Sequence, residues 1–99
     1  MTLRLGEVVL IRIDFHQTPG GKLRPAAVAA PITSRPRVSS FDVPIHQWRE
    51  AGLNTASTIR VHKLTVLAKD EIVRRLGELA GADRAALTEV LRRAFSLDQ

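Results

Sequence analysis

The chain has 99 residues, 44 % hydrophobic and 25 % charged, which suits one domain over residues 1–99 with a modest core and excludes a disordered chain. It has no cysteine, which removes disulfides, thiolate zinc sites and thiol catalysis. No apolar run nears the ~20 residues of a membrane span and no signal-peptide pattern opens the chain, so the expected location is cytoplasmic. Fifteen Lys and Arg against ten Asp and Glu leave a net charge of +5, which favours an anionic partner. The excess is local: between Phe15 and Phe41 stand Lys22, Arg24, Arg35 and Arg37 and no acid.

In chain order, "GEVVLIRIDF" alternates Val9, Ile11, Ile13 and Phe15 against Arg12 and Asp14, the period of a strand. "HQTPGGK" is a turn or exposed loop. "RPAAVAAPIT" is an extended apolar segment with Pro25 and Pro31 at strand ends or an edge. "SFDVPI" predicts a strand with Phe41, Val43 and Ile45 inward and Asp42 and Pro44 outward. "HQWREAGLNTAS" is a polar connection with room for a helical turn, and "TIRVHKLTVL" is another strand, with Arg60 and His62 on its polar side. From Ala68 the period changes: Ile72, Val73, Leu76 and Leu79 recur at helical spacing behind Asp70 and Glu71, which predicts a helix ending at Gly81. Asp83 is placed to cap a second helix with the apolar stripe Leu87, Val90, Leu91 and Ala94. The fold class is mainly β with C-terminal helices.

The chemistry-bearing residues are few. His16, His46 and His62 form neither an HxH nor an HxxxH pair, so no metal site is expected, and no cofactor motif is present. There is no Gly-x-Ser-x-Gly elbow, and "PGGK" lacks the spacing of a phosphate-binding loop. Arginine, hydroxyl and histidine remain. These suit metal-free RNA cleavage, in which a base takes the 2′-hydroxyl proton, arginine stabilises the phosphorane and an acid protonates the leaving 5′-oxygen. Trp48 suits either base stacking or packing.

"GEVVLIRIDF", "KLRPAAV", "APITSR", "FDVPI", "AGLNTASTIRVHKLTVL" and "IVRRLGEL", in that order over nearly the whole chain, resemble the MazF/PemK-like toxins of type II toxin-antitoxin pairs. The resemblance implies an SH3-like β-barrel with helical additions, a homodimer, metal-independent cleavage of single-stranded RNA without a cofactor, and inhibition by a cognate antitoxin. The family's Arg-Pro arginine falls on Arg24, as stabiliser of the transition-state phosphate, and its threonine on Thr33, as binder of the scissile phosphate, with Ser34 beside it. Some members follow an arginine by an aspartate two residues later; those positions are Arg60 and His62, so the aspartate is absent and His62 is the candidate base, a role that imidazole can fill. Arg35 and Lys22, with Glu7 in the Gly-Glu start and Gln17 in the first loop, complete the candidate RNA contacts.

One departure bears on activity. Typical members place a hairpin between the Arg-Pro arginine and the threonine, whereas eight residues separate Arg24 from Thr33. If extended, that span is roughly 30 Å, too long for one phosphate to bridge. The barrel thus reads as shortened by one hairpin, and three outcomes stay open: a turn within "AAVAAPI", a site shared between subunits, or lost catalysis. A catalytically impaired member that binds RNA or an antitoxin, and an SH3-like protein-interaction module, are the rival functions.

Overall fold

The computed structural model describes residues 3–12 and 26–96. Seven strands and one helix follow in the order β1 (Glu7–Ile11), β2 (Ala26–Ala29), β3 (Ile32–Thr33), β4 (Asp42–Ile45), β5 (Ser57–Arg60), β6 (Thr65–Ala68), β7 (Ile72–Glu78) and α1 (Gly81–Phe95). Short 3-10 turns at Val61–Lys63 and Lys69–Glu71 separate β5 from β6 and β6 from β7. Every ladder is antiparallel: β1 with β7, β2 with β6, and β5 between β3 and β4. Among the described residues these are three separate sheets, with no closed barrel.

The register answers whether "AAVAAPI" turns back. Ala26 pairs with Ala68, Ala29 with Thr65, Ile32 with Ile59 and Thr33 with Thr58. The partner number falls steadily along the segment, so β2 and β3 run in one direction against the β5–β6 strand, and no hairpin lies between them. Opposite Ala30 and Pro31 the partner strand carries the extra residues of the Val61–Lys63 turn, which breaks the ribbon in two.

Residues 72–79 are not a helix, contrary to the helical spacing of Ile72, Val73, Leu76 and Leu79. Ile72–Glu78 is strand β7, paired with β1. Val8 pairs with Gly77 and Val9 with Arg75, passing over Leu76; Leu10 pairs with Arg74 and Ile11 with Ile72, passing over Val73. Each extra residue is bulge-like and interrupts the two-residue period of the strand. Apolar residues therefore recur at three and four, a spacing that imitates a helix.

Only α1 is helical at the C-terminus. Asp83 in its first turn and Arg92 and Arg93 in its last complement the helix dipole. Asp83 does not cap it, since the N-cap is Ala80 and no side chain bonds there. Instead the Asp83 carboxylate, almost fully buried, accepts the backbone N–H of His46 at 3.1 Å and of Gln47 at 2.9 Å.

The core gathers Val8, Val43, Ile45, Ala51, Ile59, Val61 and Leu79 with Leu87 and Val90 of α1; each large aliphatic side chain so buried contributes about 1.5–3 kcal/mol. Leu91 packs at its margin, while Ala94, expected in the stripe, is exposed. The turn after β4 is helical in part, with Ala51 N–H donating to the Gln47 carbonyl at 3.2 Å. It packs Trp48 against the core under the Arg49 guanidinium, 4.9 Å from the ring centroid. Trp48 is thus a packing residue. Gly52, at φ +84°, lies against Gly77 of β7.

Candidate functional site

The three-stranded sheet decides which candidates meet. Thr33 stands opposite Thr58, and Asp42 opposite Arg60. Opposed residues share a face, as do residues two apart on one strand. Thr33, Thr58, Arg60 and Asp42 therefore lie on one face, and Ile59 and Val43 on the core side. Thr33 and Arg60 are diagonal neighbours, a separation of about 7–8 Å in such ladders. This polar face is built by alternation, since β4 and β5 turn Val43, Ile45 and Ile59 to the core, while Ile32 of the short β3 stays exposed.

Thr33 Oγ1 accepts the Arg35 N–H at 3.2 Å, which fixes the hydroxyl at the start of the loop after β3 and leaves its hydrogen to donate. Ser34 and Arg35 are exposed beside it. Arg60 ends β5, held by its N–H to the Pro31 carbonyl at 2.9 Å. His62 is in the 3-10 turn rather than on the strand, and its ring lies over Asp42, with Nδ1 3.4 Å from Oδ1. The His62 side chain is 31 % exposed.

Asp42 has the face that alternation predicts but not the exposure: it is 3 % exposed. Its Oδ2 accepts the N–H of Val38 at 3.0 Å and of Ser39 at 3.1 Å. The Val38 N–H, helped by the Ser39 N–H and the charges of His62 and Arg60, holds the carboxyl below its ordinary value against the upward push of burial. Oδ1 has no hydrogen-bond partner. Strand pairing of "FDVPI" with "STIRV" is the sequence signal that places Asp42 beside Arg60; the approach of His62 has no such signal.

Glu7 lies elsewhere. It starts β1 and faces Arg75, whose Nε is 3.9 Å from Oε1, while Arg75 Nη2 is 3.4 Å from Glu78 Oε2. A largely apolar groove of about 920 Å³ lies between this end and Thr33, with Val8, Val28, Ile32 and Phe95 among its walls. Of Leu87, Val90, Leu91 and Phe95, expected to offer apolar surface to a partner, Leu87 and Val90 are covered within the chain and Leu91 packs at the core margin, whereas Phe95 is exposed, as are Val28 and Val66. Lys22, Arg24 and Gln17 lie outside the described residues. Among the described residues no three His, Cys, Asp or Glu side chains gather as metal ligands, and no helix is long and apolar enough to cross a membrane.

The chain is thus a small antiparallel β domain with one C-terminal helix, which sets Thr33, Arg60 and Asp42 on one sheet face and His62 in the turn beside it. The model of the PemK-like, MazF-like toxins of type II toxin-antitoxin systems matches residues 8–95, and the chain belongs to that family. Two solved structures are similar to it. One, described as the crystal structure of an Mtb toxin, has 27 % identity and a TM-score of 0.62 over 71 % of this chain and 75 % of its own. The other, Mycobacterium tuberculosis toxin MazF-mt6, has 24 % identity and a TM-score of 0.63 over 93 % of both chains, a likeness of fold. No curated protein matches the sequence.

Proposed function

We propose that this toxin-family chain is a metal-independent endoribonuclease that cleaves single-stranded RNA in the cytoplasm and is inhibited by its antitoxin. The observation that carries the reading is the shared face of Thr33 and Arg60, with His62 at its edge. Thr33 and Arg60 hold the scissile phosphate, and Ser34 and Arg35 extend the contact along the backbone. His62 takes the 2′-hydroxyl proton as the 2′-oxygen bonds to phosphorus. The bond from phosphorus to the 5′-oxygen then breaks, and that oxygen takes a proton from an acid, giving a cyclic phosphate and a 5′-hydroxyl. Arg24 and Lys22 are assigned to the same phosphate path from their place in the sequence, and Gln17 to a flanking nucleotide. The exposed Val28, Val66 and Phe95 support a homodimer.

Incubating the purified protein with mixed-sequence RNA in excess EDTA tests the reading. The expected products carry cyclic phosphate and 5′-hydroxyl ends, and strict dependence on magnesium would reject the mechanism. A second reading, a member that binds RNA without cutting it, is favoured by the unturned run from β2 to β3, which keeps Ala26, at the start of β2, remote from Thr33. Salt-sensitive RNA binding without cleavage supports that reading instead.

A further inference from the structure

The Asp42 carboxylate is held by one oxygen only. Oδ2 receives two backbone N–H groups, which stop the carboxylate from rotating, while Oδ1 is buried and lacks a hydrogen-bond partner among the described residues. A buried acceptor left so is costly. His62 Nδ1 lies 3.4 Å from it, slightly beyond a well-formed N–H···O bond. At that distance Nδ1 can serve as a donor to Oδ1 only if it carries the hydrogen.

We propose that Asp42 is the positioning residue of His62: it draws the imidazole proton to Nδ1 and so leaves Nε2 with the lone pair that accepts a proton from RNA. The inference deepens the ribonuclease reading and rests on it for the step at RNA, but the tautomer belongs to the free protein. It also changes the meaning of the missing family aspartate. The carboxylate comes from β4, across the sheet from Arg60, rather than from two residues further along the chain. Asp42 acts on the substrate only through the ring, because its own oxygens are buried and directed to Val38, Ser39 and His62.

The surrounding charges are compatible with this role. Arg60 on β5 faces Asp42 and lowers its proton affinity. From α1, Arg93 Nη2 donates to the Ser40 carbonyl at 2.8 Å, and Asp83 is occupied by the His46 and Gln47 N–H groups. Lys63 adjoins His62 in the same turn and is exposed. None of these supplies a donor to Oδ1.

Long-range ¹H–¹⁵N correlation spectra of histidine-labelled protein, taken without RNA at alkaline pH, test the inference. The wild type should show His62 with the hydrogen on Nδ1. Asp42→Asn can keep an oxygen on the Val38 and Ser39 N–H groups while turning its NH₂ to the ring, so the hydrogen should move to Nε2. A wild-type ring protonated on Nε2 overturns the proposal, and that spectrum decides the matter even where Asp42→Asn fails to fold. In an active protein, Asp42→Asn should lower kcat by roughly 10² to 10⁴, the upper value being known for a wrong tautomer in a serine-protease triad, with KM little changed. Adding it to His62→Ala should cost nothing further, and a clear additional loss would contradict action through the ring. If RNA is not cut at all, the ribonuclease reading fails while the tautomer still answers for Asp42.

Discussion

Asp83 and Gln47 are 36 positions apart in sequence and 2.9 Å apart in space, the Asp83 carboxylate accepting the Gln47 N–H. With the companion bond from His46, the pair fastens the first turn of α1 to the turn behind β4. The helix is thereby set against the strand that carries Asp42.

Asp83→Ala leaves both N–H groups without their acceptor and should lower stability by about 3–6 kcal/mol, since bonds to charged groups contribute roughly 1.5–3 kcal/mol each. Asp83→Asn retains an acceptor and should lose less. Urea unfolding measures both, and an unchanged midpoint for Asp83→Ala would refute the anchoring role.

Three glycines should separate sharply. A Cβ at Gly52 would lie 2.1 Å from the Leu76 carbonyl oxygen, and one at Gly77 would lie 2.6 Å from that of Ala51. Both contacts are with backbone, so either substitution to alanine forces the turn away from β7 and should lower the melting temperature markedly. A Cβ at Gly81 meets nothing within 4 Å, and Gly81→Ala in the first turn of α1 should match or exceed the wild type. Equal melting temperatures for all three variants would refute the close packing.

Acid should loosen the 38–42 turn through Asp42. Its folded pKa is lowered, chiefly by the Val38 N–H, from an ordinary 3.8. The carboxylate's contribution is therefore complete above the unfolded value and is lost as pH falls through the lower folded value. Denaturation midpoints between pH 5 and 2 should fall more steeply in the wild type than in Asp42→Asn. Parallel curves would remove Asp42 from the acid response.

On the polar face, Arg60→Ala and Thr33→Ala should each reduce cleavage by about 10², the scale of losing one transition-state donor. Glu7→Gln should stay within about twofold, because Glu7 lies on β1 away from that face and its contact with Arg75 is long, at 3.9 Å. A loss at Glu7 equal to that at Arg60 would relocate the site to the groove beside β1.

Much of the fold was readable because alternation is a local signal. Ile59, Val61, Val43 and Ile45 declare the core side of β4 and β5 by their spacing, and Thr33 and Arg60 follow on the other side by parity. The same signal failed where the ladder is irregular. Val73 and Leu76, passed over in the β1–β7 register, disguise a strand as a helix. Alternation gives Asp42 its face but leaves it in solvent, since no local pattern reveals that a 3-10 turn twenty residues later brings His62 over it. Asp83, read as a cap, serves backbone groups far away in sequence, a use that only the folded chain defines.

The partnership of β1 with β7 also sets a schedule for folding. Sixty residues lie between Ile11 and its partner Ile72, so closing this ladder costs about 2 kcal/mol more chain entropy than closing a short hairpin, and contacts so distant in sequence slow folding. On the ribosome, β1 must wait unpaired until the last third of the chain has emerged, several seconds at ~5–20 residues per second. A truncated product ending before Ile72 would have no β7 to complete that sheet, and its first strand would be left with an open edge for another chain to join.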